Sequence, residues 1–196
     1  MIKNIVFDMG NVILRWDPDY IAGKLSQNKT EKQIIINELF SSKYWLMFDQ
    51  GIVNEKQIID SFDPKHLQLL RHALTHWHDY FEPFNKIVAL IKELKLQGYK
   101  IYLLSNCSMQ FYDYYSKVPA FKYFDDFYIS AKYHLIKPDL AIYQDFLTRY
   151  DLVAEESVFI DDVSANVEGA KKAGMLAYQY DGNLERLQAY LQTILK

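Results

Sequence analysis

The chain has 196 residues, of which 50% are apolar and 24% charged, with a net charge of −3 and a single cysteine. This fits one sizeable domain, or a core with a smaller insertion, and excludes disordered and fibrous classes. There is no basic field for a nucleic-acid backbone, no disulfide can form within the chain, and no apolar run approaches the ~20 residues of a membrane span; a cytoplasmic protein without nucleic-acid or membrane partners is expected.

The first predicted strand spans residues 3–8. Ile5-Val6-Phe7 runs unbroken into Asp8, as in a parallel strand buried on both faces. From Pro18 to about Trp77 the pattern is helical and rich in aromatics. Pro18 fits the first turn of a helix, Asn28 and Asn54 read as N-caps, Gly51 marks a break, and Asp63-Pro64 opens another helix. Ile87, Leu90, Ile91 and Leu94 then recur at helical spacing up to Gly98. Further strands are predicted at 100–106, 127–130, 157–160 and 176–180. Helices are predicted around 109–116 and at 139–150, 167–173 and 184–195. Strands alternating with helices predict a doubly wound, Rossmann-like α/β core with a parallel sheet. The expected division is a core of 1–17 and 83–196, with an all-helical cap, 18–82, inserted after the first strand.

Three apolar strands end in polar groups: Asp8, Ser105-Asn106 and Asp161-Asp162. Lys137 lies in a loop before a helix. In a parallel sheet the carboxyl ends share one edge, so these groups should converge. Three carboxylates together repel unless a cation sits among them, and oxygen-only ligands suit Mg²⁺. With a hydroxyl, a lysine and strand-end N–H groups they form a cradle for a phosphoryl group. A carboxylate there can attack phosphorus and give an aspartyl-phosphate that water hydrolyses.

Four motifs in order, Phe7-Asp8-Met9-Gly10-Asn11-Val12, Leu103-Leu104-Ser105-Asn106, Lys137-Pro138-Asp139 and Val158-Phe159-Ile160-Asp161-Asp162 with Asn166 beyond it, resemble the haloacid dehalogenase-like superfamily, in its subgroup with a small helical cap. The resemblance covers nearly the whole chain. It implies a Mg²⁺-dependent phosphatase acting on a small phosphorylated metabolite, with a sugar phosphate the first expectation. Asp8 would be nucleophile and metal ligand, and the Gly10 carbonyl a second ligand. Asp162 would be the other carboxylate on the metal, with Asp161 a ligand through water or the orienter of Lys137. Ser105, Asn106 and Asn11 would hold the substrate. Lys137 would balance charge, and Asn166 would brace the metal-side loop.

Position 10 departs from the pattern. Phosphatases of this family usually carry a second Asp there as general acid and base, and its dehalogenases an aromatic residue. Gly10-Asn11 is similar to bacterial sugar-1-phosphate phosphatases. Asp17, on the segment leaving the core, is the residue expected to replace the missing acid in part. Two other readings stay open: a phosphomutase or dehalogenase reaction on the same nucleophile, or a binding or regulatory protein that has lost turnover. Cys107 is expected to be a buried thiol without a nucleophilic role, His72 and His76 to hold no metal despite their spacing, and the aromatics around Trp45 and Trp77 to be more cap core than substrate wall.

Overall fold

The computed structural model describes residues 1–195. In chain order the elements are β1 (Asn4–Phe7), α1 (Pro18–Leu25), α2 (Lys29–Ile34), α3 (Lys43–Asp49), α4 (Glu55–Asp60), α5 (Leu67–His76), α6 (Asn85–Leu96), β2 (Lys100–Ser105), α7 (Phe111–Tyr114), β3 (Asp126–Ile129), α8 (Ser130–Tyr133), α9 (Leu140–Arg149), β4 (Ser157–Asp161), α10 (Ser164–Lys172), β5 (Leu176–Gln179) and α11 (Leu184–Ile194). The five strands form one parallel sheet in the order β3-β2-β1-β4-β5, as a doubly wound core requires.

Strand residues alternate between two apolar layers. Ile5 and Phe7 join Ile101, Leu103, Val158 and Ile160 in the layer covered by α6 and α11. Val6 joins Tyr102, Leu104 and Phe159 in the layer covered by α9 and α10. Ile5, Val6 and Phe7 have no exposed surface, and burying each such side chain contributes about 1.5–3 kcal/mol. This burial fixes where β1 ends. Phe7 pairs with Leu103 on one side and Ile160 on the other, so Asp8 stands level with Asp161. The chain winds outward from β1 to β2 and β3, then returns to β4 on the other side. The crevice between β1 and β4 is therefore the switch point where such sheets bind ligands.

Between β1 and β2 the described residues form helices and no strand. The sequence signals act locally as read. Asn28 caps α2, and Asn54 with Gln57 forms a capping box on α4. Three details differ from the sequence reading. The helix expected around 109–116 is one α-turn followed by a 3₁₀ turn, Tyr115–Lys117, with Phe111 and Tyr114 buried. A short helix, α8, follows β3 directly. Beyond α2 the helix widens into a π-stretch, Ile35–Phe40. The wider turn brings Phe40 toward the face of Ile35 and Leu39, and all three are buried.

Gly51 has φ +72, and a Cβ there would lie 2.2 Å from the Ala131 carbonyl oxygen. Only glycine lets the turn after α3 rest on α8. Gly51→Ala is expected to lower stability by about 1–3 kcal/mol, read as a lower Tm and an earlier denaturant midpoint.

Candidate active site

Lys137 is the hinge of the crevice. Its Nζ lies 2.8 Å from Asp8 Oδ1 and 2.6 Å from Asp161 Oδ2, and its side chain is 1% exposed. Burial lowers an ammonium pKa, but here the two carboxylates outweigh it and raise that of Lys137, so it stays charged. Burial pushes the Asp8 carboxyl up to about 6, with Lys137 pulling it down and Asp161 pushing it up. Asp8 thus carries a charge that its surroundings only partly compensate.

A cation would complete the compensation. Asp8, Asp161 and Asp162 each present a carboxylate oxygen, and these atoms lie within 4.8 Å of one another. The donors are all oxygen, which fits a hard divalent ion. The three are not equivalent. Asp161 has no exposed surface, and it accepts from Lys137, from the Val163 main-chain N–H at 2.8 Å and from Asn166 Nδ2 at 3.0 Å to each oxygen. A carboxylate has about four acceptor sites, so Asp161 is committed to the protein. Asp8 and Asp162 line a cleft of about 350 Å³, as do Gly10, Ser105, Asn106 and Lys137. Burial raises the Asp162 pKa from its ordinary value, and the Asn11 amide opposes that rise.

Asn11 lines the same cleft, in the left-handed conformation with φ 53. Both ends of its amide are engaged: Nδ2 donates to Asp162 Oδ2 at 3.3 Å, and Oδ1 accepts the Trp16 N–H at 3.0 Å. The geometry makes it a brace between Asp162 and the outgoing chain, where the sequence reading expected a substrate contact. The bridge between Gly10 and Leu14 uses Met9 O and Asn11 N, which leaves the Gly10 carbonyl out of that pairing. A Cβ on Gly10 would meet the Trp16 Cβ at 3.3 Å. A side chain at position 10 would press on Trp16, so the absence of the second Asp goes together with the placement of this indole.

The loop after β2 supplies the other wall. Ser105 is buried beside the cleft. The Asn106 amide clamps the main chain of Lys137: Nδ2 donates to Lys137 O at 3.0 Å, and Oδ1 accepts Lys137 N–H at 2.9 Å. This two-way clamp sets the height of Lys137, and spacing alone could not reveal it. Cys107 is buried, and burial raises its thiol pKa well above the ordinary value, so it is no thiolate nucleophile.

Asp17 is not brought to the site. Its side chain caps α1, accepting the Tyr20 N–H at 3.0 Å, and pairs with Arg15 at 2.6 Å. These contacts hold its pKa below the ordinary range, the wrong direction for a general acid, and among the described residues it is not one that lines the cleft. Asp before Pro is an N-cap signal, and that local chemistry prevails. Asp17→Ala is expected to cost about 1 kcal/mol of stability and to leave the pH profile of turnover where it was, checked by thermal melts beside kcat against pH.

Two features of the cleft were not legible as such. The chain's three tryptophans all line it. Trp16 stacks on Trp45 at 5.7 Å, and Trp77 meets them edge-on at 5.4 and 5.1 Å. Trp45 and Trp77 are therefore both core and cleft wall. Trp77 is pinned to the core by Nε1 donating to Gln110 Oε1 at 3.0 Å. The second feature is Asp49, at the end of α3, which also lines the cleft.

The three converging strand ends and the Lys137 loop match a known pattern over most of the chain. The family model for haloacid dehalogenase-like hydrolases matches residues 5–178. The chain belongs to that family. Among its curated relatives, a sesquiterpene phosphatase from Aspergillus oryzae is 25% identical, over 93% of this chain and 91% of the relative. A glyceraldehyde 3-phosphate phosphatase from Methanocaldococcus jannaschii is 24% identical, over 90% and 83%. A family enzyme from Bacteroides thetaiotaomicron, solved with magnesium and inorganic phosphate, superimposes with a TM-score of 0.76 at 20% identity, covering 95% of this chain and 99% of that one. At that identity the likeness concerns the fold.

Proposed function

We propose that this family member is a Mg²⁺-dependent phosphomonoesterase that transfers the phosphoryl group of a small metabolite to Asp8 and then to water. The observation that carries this reading is the Asp8–Lys137–Asp161 arrangement, with its distances of 2.8 and 2.6 Å, beside the Ser105–Asn106 loop and within reach of Asp162. The phosphatase relatives, and the magnesium and phosphate in the Bacteroides enzyme, support it.

Asp8, Asp162 and the Gly10 carbonyl would hold Mg²⁺, which supplies charge neutralisation for a phosphoryl oxygen and for Asp8 when bound. The Ser105 hydroxyl and the Asn106 main-chain N–H would receive the other phosphoryl oxygens. Lys137 holds Asp8 in place and offsets charge as the Asp8 oxygen attacks phosphorus. Asp161 orients Lys137, and Asn166 and Val163 orient Asp161. Asn11 positions Asp162. We read the helical segment 18–82 as a cap that excludes water and contacts the leaving group.

The triose-phosphate relative supports a sugar-phosphate-like substrate. One observation favours a second reading. The wall of Trp16, Trp45 and Trp77 offers an apolar surface, which suits the monophosphate of an apolar or aromatic alcohol, and one relative is a sesquiterpene phosphatase. A panel of a triose phosphate, a polyol phosphate, an aryl phosphate and a prenyl monophosphate, assayed for phosphate release with Mg²⁺ and with chelator, tests both. Release that needs Mg²⁺ supports the phosphatase, and the ranking of kcat/KM decides between the substrates. No release from any of them sinks it, as would turnover that chelation leaves intact.

A further inference from the structure

Phosphoryl transfer to Asp8 leaves an alcohol oxygen that must gain a proton. At position 10 there is no side chain to give one, and Asp17 is occupied elsewhere. One more acidic residue lines the cleft, Asp49. It reaches the site from the helical segment, and the contacts that hold it there are specific. The main-chain N–H of Ser108, three residues beyond Ser105, is close enough to its carboxyl to lower the pKa against the effect of burial. The Asp49 main-chain carbonyl accepts the Ser130 hydroxyl, and that hydroxyl oxygen in turn accepts the Cys107 N–H at 2.9 Å. Asp49 is thus tied by its main chain, through Ser130, to the loop that forms the phosphoryl wall. Cys107 lies close enough to feel the charge of both Asp49 and Asp8. Gly51 permits the approach, since α8 leaves no room for a Cβ there.

Resting on the phosphatase reading, we propose that Asp49 is the general acid and base of this site, delivered by the helical segment in place of the family's second Asp. In the first half-reaction the bond from Asp8 oxygen to phosphorus forms and the bond from phosphorus to the leaving oxygen breaks. The electron pair goes to that oxygen, which takes the proton of the Asp49 carboxyl and departs as the alcohol. In the second, a water oxygen bonds to phosphorus and the bond to Asp8 breaks. Its electron pair returns to the Asp8 carboxylate, and the proton lost by water restores the acid form of Asp49. The sum is phosphomonoester plus water to alcohol plus phosphate.

The surroundings favour the acid form of Asp49 that the first step needs. Burial raises its pKa well above the ordinary carboxylate range, and the Ser108 N–H only partly offsets that. Glu38, Glu55, Lys56, Asp60, Lys132 and Tyr133 sit on the elements packed against α3, and among the described residues none of them pairs with it. The sign for stability follows. The folded state keeps the Asp49 proton to higher pH than the unfolded chain does, so this group's contribution is full at low pH and declines as pH rises from the ordinary carboxylate range toward the folded pKa.

The test is a leaving-group series on wild type, Asp49→Asn and Asp49→Glu, from nitrophenyl to simple alkyl phosphates, with thermal melts across pH. Asp49→Asn should lose roughly 10²–10³-fold in kcat/KM on alkyl phosphates and only a few-fold on nitrophenyl phosphate, whose leaving oxygen needs no proton. Asp49→Glu should recover part of the alkyl activity. The Tm of Asp49→Asn relative to wild type should rise as pH increases. A uniform loss over the series, or none, overturns the proposal; so does a Tm difference that ignores pH. A wild-type protein inert toward every phosphate overturns the phosphatase reading itself, and this role with it.

Discussion

Asp8→Asn should lower Mg²⁺-dependent phosphate release by about 10⁴-fold or more. The amide keeps the size of the carboxyl and leaves the Lys137–Asp161 pair at 2.6 Å in place, but it has no charged oxygen with which to attack phosphorus. What remains is the electrostatic cradle alone, which gives only residual catalysis. KM should change little or fall, because the variant removes one negative charge from a cleft that must admit a phosphate dianion. A loss smaller than about tenfold would mean that another group attacks, or that water attacks directly. Far-UV circular dichroism and the melting curve tell a chemical loss from an unfolded protein.

Lys137→Ala should produce the largest loss of stability. The side chains of Asp8 and Asp161 are 11% and 0% exposed, and Lys137 Nζ is the cation between them. Removing it leaves two buried carboxylates facing each other. Breaking a buried ion pair from one side costs about 3–5 kcal/mol, and for a chain of this size that is on the order of 10 °C in Tm. A coupling check accompanies the prediction. In the double variant Asp8→Asn/Lys137→Ala part of the repulsion is gone, so the double should melt well above the sum of the two single effects. Strict additivity would contradict the shared role of Lys137. Activity should fall as well, since Lys137 no longer holds Asp8.

The strand ends were readable because a parallel sheet forces them together. Once Ile5-Val6-Phe7, Leu103-Leu104 and Val158-Phe159-Ile160 read as buried strands, Asp8, Ser105 and Asp161 had to share an edge. The roles within that edge were less readable. Asp161 and Asp162 are neighbours in sequence, yet alternation along the strand turns one toward Lys137 and the other toward the cleft. Asn11 resembled a substrate contact, but its backbone conformation points both ends of its amide at protein partners. Asp17 lies on the segment leaving the core, but its place before Pro18 makes it the cap of α1, and that local interaction prevails. Asp49 carries no sequence signal. In Trp45-Leu46-Met47-Phe48-Asp49 it reads as the polar end of an apolar helix, and only the docking of that helix on Ser130 places it at the cleft.

Gly10 links these observations. At position 10 this chain has a glycine pressed near Trp16, and Asp49 from the helical segment lines the same cleft. The nucleophile nevertheless remains the claim on which the rest depends. It is tested by acid-quenching a single turnover of a substrate found active with Mg²⁺ and mapping the digested protein by mass spectrometry. A phosphoryl group on the peptide containing Asp8, present at early times, gone at completion and absent from Asp8→Asn, is the expected result. Phosphate released with no phosphoryl-protein at any time, or with the label on a different residue, would contradict it.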